Sequence, residues 1–136
     1  MILTVIDDFG KSLTPSLHNL SGTGGDIKRF LGLHIDCLIE YEDFYARLVK
    51  EQYMLPKEAQ NTFICIQSGV SNHLQRAILK NNDLKLKDIP MYIIFNSWIG
   101  LLHYYLQNKE MFTVEGSVLK AHKEVLIDSF TKMICV

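Results

Sequence analysis

Apolar residues recur along most of this chain at steps of three and four, the interval that lines up one face of an α-helix, and no alternating segments flank an Asn-Gly or Asp-Gly turn. The pattern predicts an all-α fold, a bundle of about six helices in one domain over residues 1–136. A weak first helix over 2–19 carries Leu3, Ile6, Phe9, Leu13 and Leu17, with Leu20 continuing the stripe and Pro15 kinking or splitting it. Ser21-Gly22-Thr23-Gly24-Gly25 breaks the chain, and Asp26 is placed to cap a second helix, which runs to about Ile39. Its stripe is Ile27, Phe30, Leu31, His34, Ile35 and Leu38.

Tyr41-Glu42-Asp43 reads as a turn or offset before a short helix with Phe44, Tyr45, Leu48 and Val49 inward, closed by Pro56. A longer helix over 57–81 buries Phe63, Ile66, Val70, Leu74 and Ala77 and ends at Asn81-Asn82-Asp83. Asp88 is the expected cap of a helix over 89–107, with Pro90 in its first turn and Lys109-Glu110 at its end. Thr113 is the expected cap of the last helix, whose Val118, Leu119, His122, Val125, Leu126, Phe130, Met133 and Ile134 keep the three-four step.

Two of these helices lack the charged outer face that a small monomer needs, since neither 59–75 nor 89–108 contains Asp, Glu, Lys or Arg. The stretch 89–108 has the length of a membrane span, but Asn96, Ser97, His103, Gln107 and Asn108 would each need a partner in hydrocarbon, and no span is expected. Around the helix run a bulky face (Met91, Ile94, Phe95, Trp98, Leu102, Tyr105), a mixed face (Tyr92, Asn96, Ile99, His103) and a face with small residues at its centre (Ile93, Ser97, Gly100, Tyr104). One core covers one or two of these, so a homodimer is expected. The last two helices of each subunit would form a four-helix bundle through Trp98, Leu102, Tyr105, Leu126, Phe130 and Ile134.

The polar groups on these greasy helices must find partners once buried, and either protein or ligand can supply them. Phe30, His34, Phe63, Gln67, Tyr92, Asn96 and His103 are therefore the candidate lining of an apolar pocket for a small molecule, by their positions around their helices. The alternative is that each is satisfied within the core.

Composition narrows the function. With 14 basic and 15 acidic residues the net charge is -1, so nothing attracts a phosphate backbone or an anionic membrane surface. Cys37, Cys65 and Cys135 are too few and too scattered for a disulfide framework or a metal site, and they suit a reducing, cytoplasmic setting. The start MILTVIDDFG lacks the basic region and apolar core of a secretion signal. No cofactor or metal is expected, and no enzymatic activity. The one cluster that would argue otherwise is His34, Asp36, Cys37 and Glu40 on adjacent turns. QSGVSNHLQRAI over 67–78 imitates a helix-turn-helix, but with Gly69 as the turn glycine it sets Gln75 where an apolar contact belongs.

The order of elements, with a short helix ending at Leu55-Pro56, a long one ending in LKNNDLKLKDIP, the greasy MYIIFNSWIGLLHYYL and a final amphipathic helix, resembles the C-terminal regulatory domain of the tetracycline-repressor (TetR) family. The similarity is greatest between Leu79 and Leu106, at Asp83-Leu84, Asp88-Ile89-Pro90 and Gly100-Leu101-Leu102. The family's N-terminal helix-turn-helix unit has no counterpart here. The resemblance implies the effector-binding and dimerisation half of a bacterial transcription regulator. It would bind a small apolar effector, dimerise through its last two helices, and meet DNA only through the absent unit. A ligand-free interaction module and, less readily, a small helical-bundle enzyme are the alternatives.

Overall fold

The computed structural model describes residues 6–11, 27–80 and 85–136. A helical segment over 6–11 (α1) is followed by α2 (Ile27–Glu40), α3 (Glu42–Glu51), a 3-10 turn at Gln52–Met54, α4 (Lys57–Lys80), α5 (Met91–Gln107), the four-residue α6 (Lys109–Phe112) and α7 (Val118–Ile134). The fold is all-α. Among the described residues the only extended pairing is a single bridge between Leu86 and Cys135. Leu3, Leu13, Pro15, Leu17, Leu20, the Ser21–Gly25 breaker, the Asp26 cap and Asn81-Asn82-Asp83 lie outside the described residues.

Each helix forms where one stripe can be buried. In α2, Ile27, Phe30, Leu31, His34, Ile35 and Leu38 all lie inside. α2 packs along α7 and against α4, while α5 lies between α3 and α7. Leu55 adopts φ -78 and ψ 157, the extended conformation that a following proline enforces, and this sets the corner between α3 and α4. Gln60 braces the corner, its Nε2 donating to the Leu55 carbonyl at 2.7 Å. α4 then runs through Gly69 without a turn, so no helix-turn-helix divides it.

Three termini depart from the sequence reading. α5 begins at Pro90, which has no side-chain bond to offer, and Asp88 is an exposed residue of the preceding connection. That connection is held instead by backbone pairing with the chain's end, Lys87 N–H to Ile134 O and Val136 N–H to Lys85 O, both at 2.8 Å. The cap of α7 is Ser117, whose Oγ accepts from Lys120 N–H at 3.0 Å, and not Thr113, whose hydroxyl donates to the Glu115 carbonyl. Between them Gly116 sits at φ 78, a left-handed conformation that only glycine takes cheaply, so a loop intervenes where a continuous helix entry was expected.

Glu42, expected in a turn, is the first residue of α3 and is buried. Its carboxylate accepts from Ser117 Oγ (2.6 Å), Val118 N–H (3.1 Å) and Leu119 N–H (3.3 Å), and Lys109 Nζ lies 3.3 Å away. A helix N-terminus presents unpaired N–H groups and positive potential, and a carboxylate from another helix satisfies both.

Trp98 lies at the centre of the bundle, with no exposed surface and its ring 5.0 Å from Phe130. Leu102, Leu126, Phe130 and Ile134 are likewise buried in the same protomer. These five cannot also form a subunit interface, which corrects that expectation. The bulky face of α5 is buried within its own chain, where α5 packs on α3, α7 and α4. Tyr105, the sixth, is half-buried and stacked on Phe112 at 4.2 Å. Among the described residues no helix is long and apolar enough to cross a membrane.

Candidate functional site

Two short chains of polar groups run through the core between α2, α3, α4 and α5. Trp98 Nε1–H donates to His34 Nδ1 at 3.0 Å, which requires the imidazole to be neutral with its proton on Nε2. Burial, helped by the nearby His103, pushes His34 down to about 3. The second chain starts at Gln67 on α4, which hydrogen-bonds the Tyr45 hydroxyl; that hydroxyl lies 2.8 Å from His103 Nε2. Burial raises the Tyr45 phenol above its ordinary range and pushes His103 down to about 4. Among the described residues no buried side-chain nitrogen or oxygen is left without a partner.

The candidate pocket residues therefore divide. Phe30 and Phe63 are core side chains, His34 is bonded to Trp98, and Gln67 and His103 meet at Tyr45. Tyr92 and Asn96 lie on the solvent side and join none of them, which corrects their place in a pocket lining. What remains between α2, α3 and α4 is a void of about 10 Å³ beside Phe9, His34, Tyr45, Phe63 and Gln67. A small-molecule site needs on the order of 300 Å³ or more, and 10 Å³ is at the limit of one water. Tyr45, which organises the polar chain, reads in the sequence only as an inward aromatic of α3, because its partners lie on α4 and α5.

The cluster on α2 also separates. His34 points inward, the Asp36 carboxylate pairs with Lys123 on α7 at 2.8 Å, and Cys37 is half-buried. Burial and the Glu40 and Asp36 carboxylates push the Cys37 thiol up, away from the thiolate that nucleophilic attack needs. Among the described residues no group of three His, Cys, Asp or Glu could hold a metal ion. A groove of about 770 Å³ runs between α2 and α7, but the Lys123–Asp36 and Lys28–Asp128 pairs span these two helices, and the groove is open to solvent.

The outward side of α5 is different. Tyr92 is 66% exposed, Tyr104 54% and Ile93 42%, with Asn96, Ser97, Gly100 and Gln107 open beside them. A Cβ built on Gly100 would meet nothing within 4 Å. This is the small-centred face of the helix, and it is uncharged from end to end. Tyr92, Ile93 and Tyr104 thus present apolar surface to solvent on a face with no charge beside it.

Comparison with known protein families, with curated proteins and with solved structures finds no match in any of the three. Among the described residues, fold and site define an all-α bundle with a filled core and, along α5, an open uncharged helix face.

Proposed function

We propose that this chain is a helical protein-interaction module that engages its partner through the outward face of α5. The observation that carries the reading is the exposure of Tyr92, Ile93 and Tyr104 on a helix with no charged residue between 89 and 108. The filled core supports it, because among the described residues every buried side-chain nitrogen and oxygen already has a partner. The test is a photoreactive phenylalanine analogue at position 97, irradiated in cells, with the same analogue at Lys120 on the exposed side of α7 as control. The module reading expects a discrete covalent adduct from position 97 alone. Equal labelling from both positions, or none, contradicts it.

The effector-binding domain of a tetracycline-repressor-like regulator is the second reading. It draws on the aromatic and polar lining shared by Tyr45, Phe63, Gln67 and His34, which lies between the helices the resemblance points to. A ligand there would have to displace side chains to enter. A thermal-shift screen of apolar compounds distinguishes the two, since an effector domain must be stabilised by some of them.

A further inference from the structure

Resting on the interaction reading, we propose that the occupant of the α5 face is a second copy of this chain, packed antiparallel about a two-fold axis between Ser97 and Gly100. The face is self-complementary. Its central line is Ile93, Ser97, Gly100 and Tyr104, a large-small-small-large series with steps of four, three and four. Reversing the helix about its midpoint reproduces the series, so Ile93 of each copy meets Tyr104 of the other and the small residues face each other at the crossing.

Charge supports the same occupant. A two-fold interface sets a surface against its own copy, so charge near the axis meets its like. Residues 89–108 carry none, and neither do 59–75 on α4, whereas the α2–α7 side of the bundle carries Lys28, Arg29, Asp36, Lys123 and Asp128; the reversible series is what singles out α5. Gly100 lies in open space, so a second helix can approach to the short interaxial distance that small residues allow. Tyr92 and Asn96 flank the line with hydrogen-bonding groups suited to an interface rim.

Area sets the strength. The two tyrosines offer roughly 200–300 Å² between them. With Ile93, Asn96, Ser97, Gly100 and Gln107 the face offers roughly 600 Å² per copy, the lower end of what specific pairs bury. A face of that size makes the micromolar range the one to search.

Sedimentation velocity on the full chain across the micromolar range tests this. A concentration-dependent doubling of mass is expected, and Gly100→Lys should abolish it. That variant will fold, because lysine is a better helix former than glycine and the site is open. Its melting curve, unchanged or raised, verifies the fold. In a Cys65→Ser background, Ile93→Cys mixed with Tyr104→Cys should cross-link through a short bis-maleimide, and neither should do so alone. A wild-type monomer throughout, a dimer indifferent to Gly100→Lys, or efficient cross-linking of Ile93→Cys with itself overturns the proposal. A monomer in vitro whose position-97 adduct in cells contains a different protein overturns the second copy and leaves the interaction reading standing. A monomer with no adduct overturns both.

Discussion

Trp98 on α5 donates its indole N–H to Nδ1 of His34 on α2, 3.0 Å away across the middle of the bundle, where neither ring meets water. This hydrogen bond links α2 to α5, two helices that otherwise pack mainly on other partners. It also shows why a histidine in an apolar stripe need not be waiting for a ligand.

Removing that contact from both sides should cost less than the two single losses added together. Trp98→Phe leaves a void and an unpaired imidazole nitrogen, and should destabilise by about 3 kcal/mol. His34→Leu leaves the indole N–H unpaired, at about 2 kcal/mol. In the double variant the polar penalties vanish together, so urea denaturation should give a loss smaller than the sum of the two. Simple additivity would mean that the bond contributes nothing.

Acid should loosen the fold earlier than its carboxylates require. His34 and His103 titrate near 3 and 4 in the folded state, below the ordinary 6.5 of an unfolded histidine. Below pH 6.5 the unfolded chain binds protons that the folded chain refuses. The stability due to neutral burial is therefore complete above about pH 6.5 and is lost as pH falls toward the folded values, by up to about 1.4 kcal/mol per unit for each histidine. Urea midpoints should be level from pH 7 to 8 and drop from 6 to 4, with a shallower drop in His103→Gln. A flat profile from pH 7 to 5 would contradict this.

Glu42 should matter for one helix end in particular. Glu42→Gln keeps the shape but removes the charge that meets Ser117, Val118 and Leu119, and should cost about 1–2 kcal/mol. Hydrogen exchange at the Val118 and Leu119 amides should quicken more than in the middle of α7. Uniform quickening along α7 would show that the carboxylate acts only through general packing.

Gly69 sits inside a continuous α4, and a Cβ there would meet nothing within 4 Å. Gly69→Ala should therefore stabilise the protein by up to about 1 kcal/mol, raising its melting temperature. A turn at this glycine would reverse the sign.

Much of the core was legible from spacing. The stripe of α2 from Ile27 to Leu38 and the inward set of α7 at Val118, Leu119, Leu126, Phe130 and Ile134 are buried as their steps of three and four require. Val125 and Met133, on the same helix, are exposed, because the period marks a face but not its width. The candidate pocket was less legible. Wheel positions place Tyr92, Asn96 and His103 together, yet only His103, at the edge next to α3, reaches Tyr45.

Local pattern determined that this chain is helical, roughly where its helices lie, and that α5 is too apolar for one core to cover, since each follows from residues within a few turns of one another. Only the tertiary structure decided which face of α5 went inward. On the inward face Trp98 meets both His34 and Phe130, and partners that far apart in the chain leave no trace in periodicity. The same holds for Glu42, whose carboxylate caps a helix that begins 76 residues later. Burial is decided by whichever face gains the most contacts and leaves the fewest polar groups unpaired, and that comparison exists only once the helices have met.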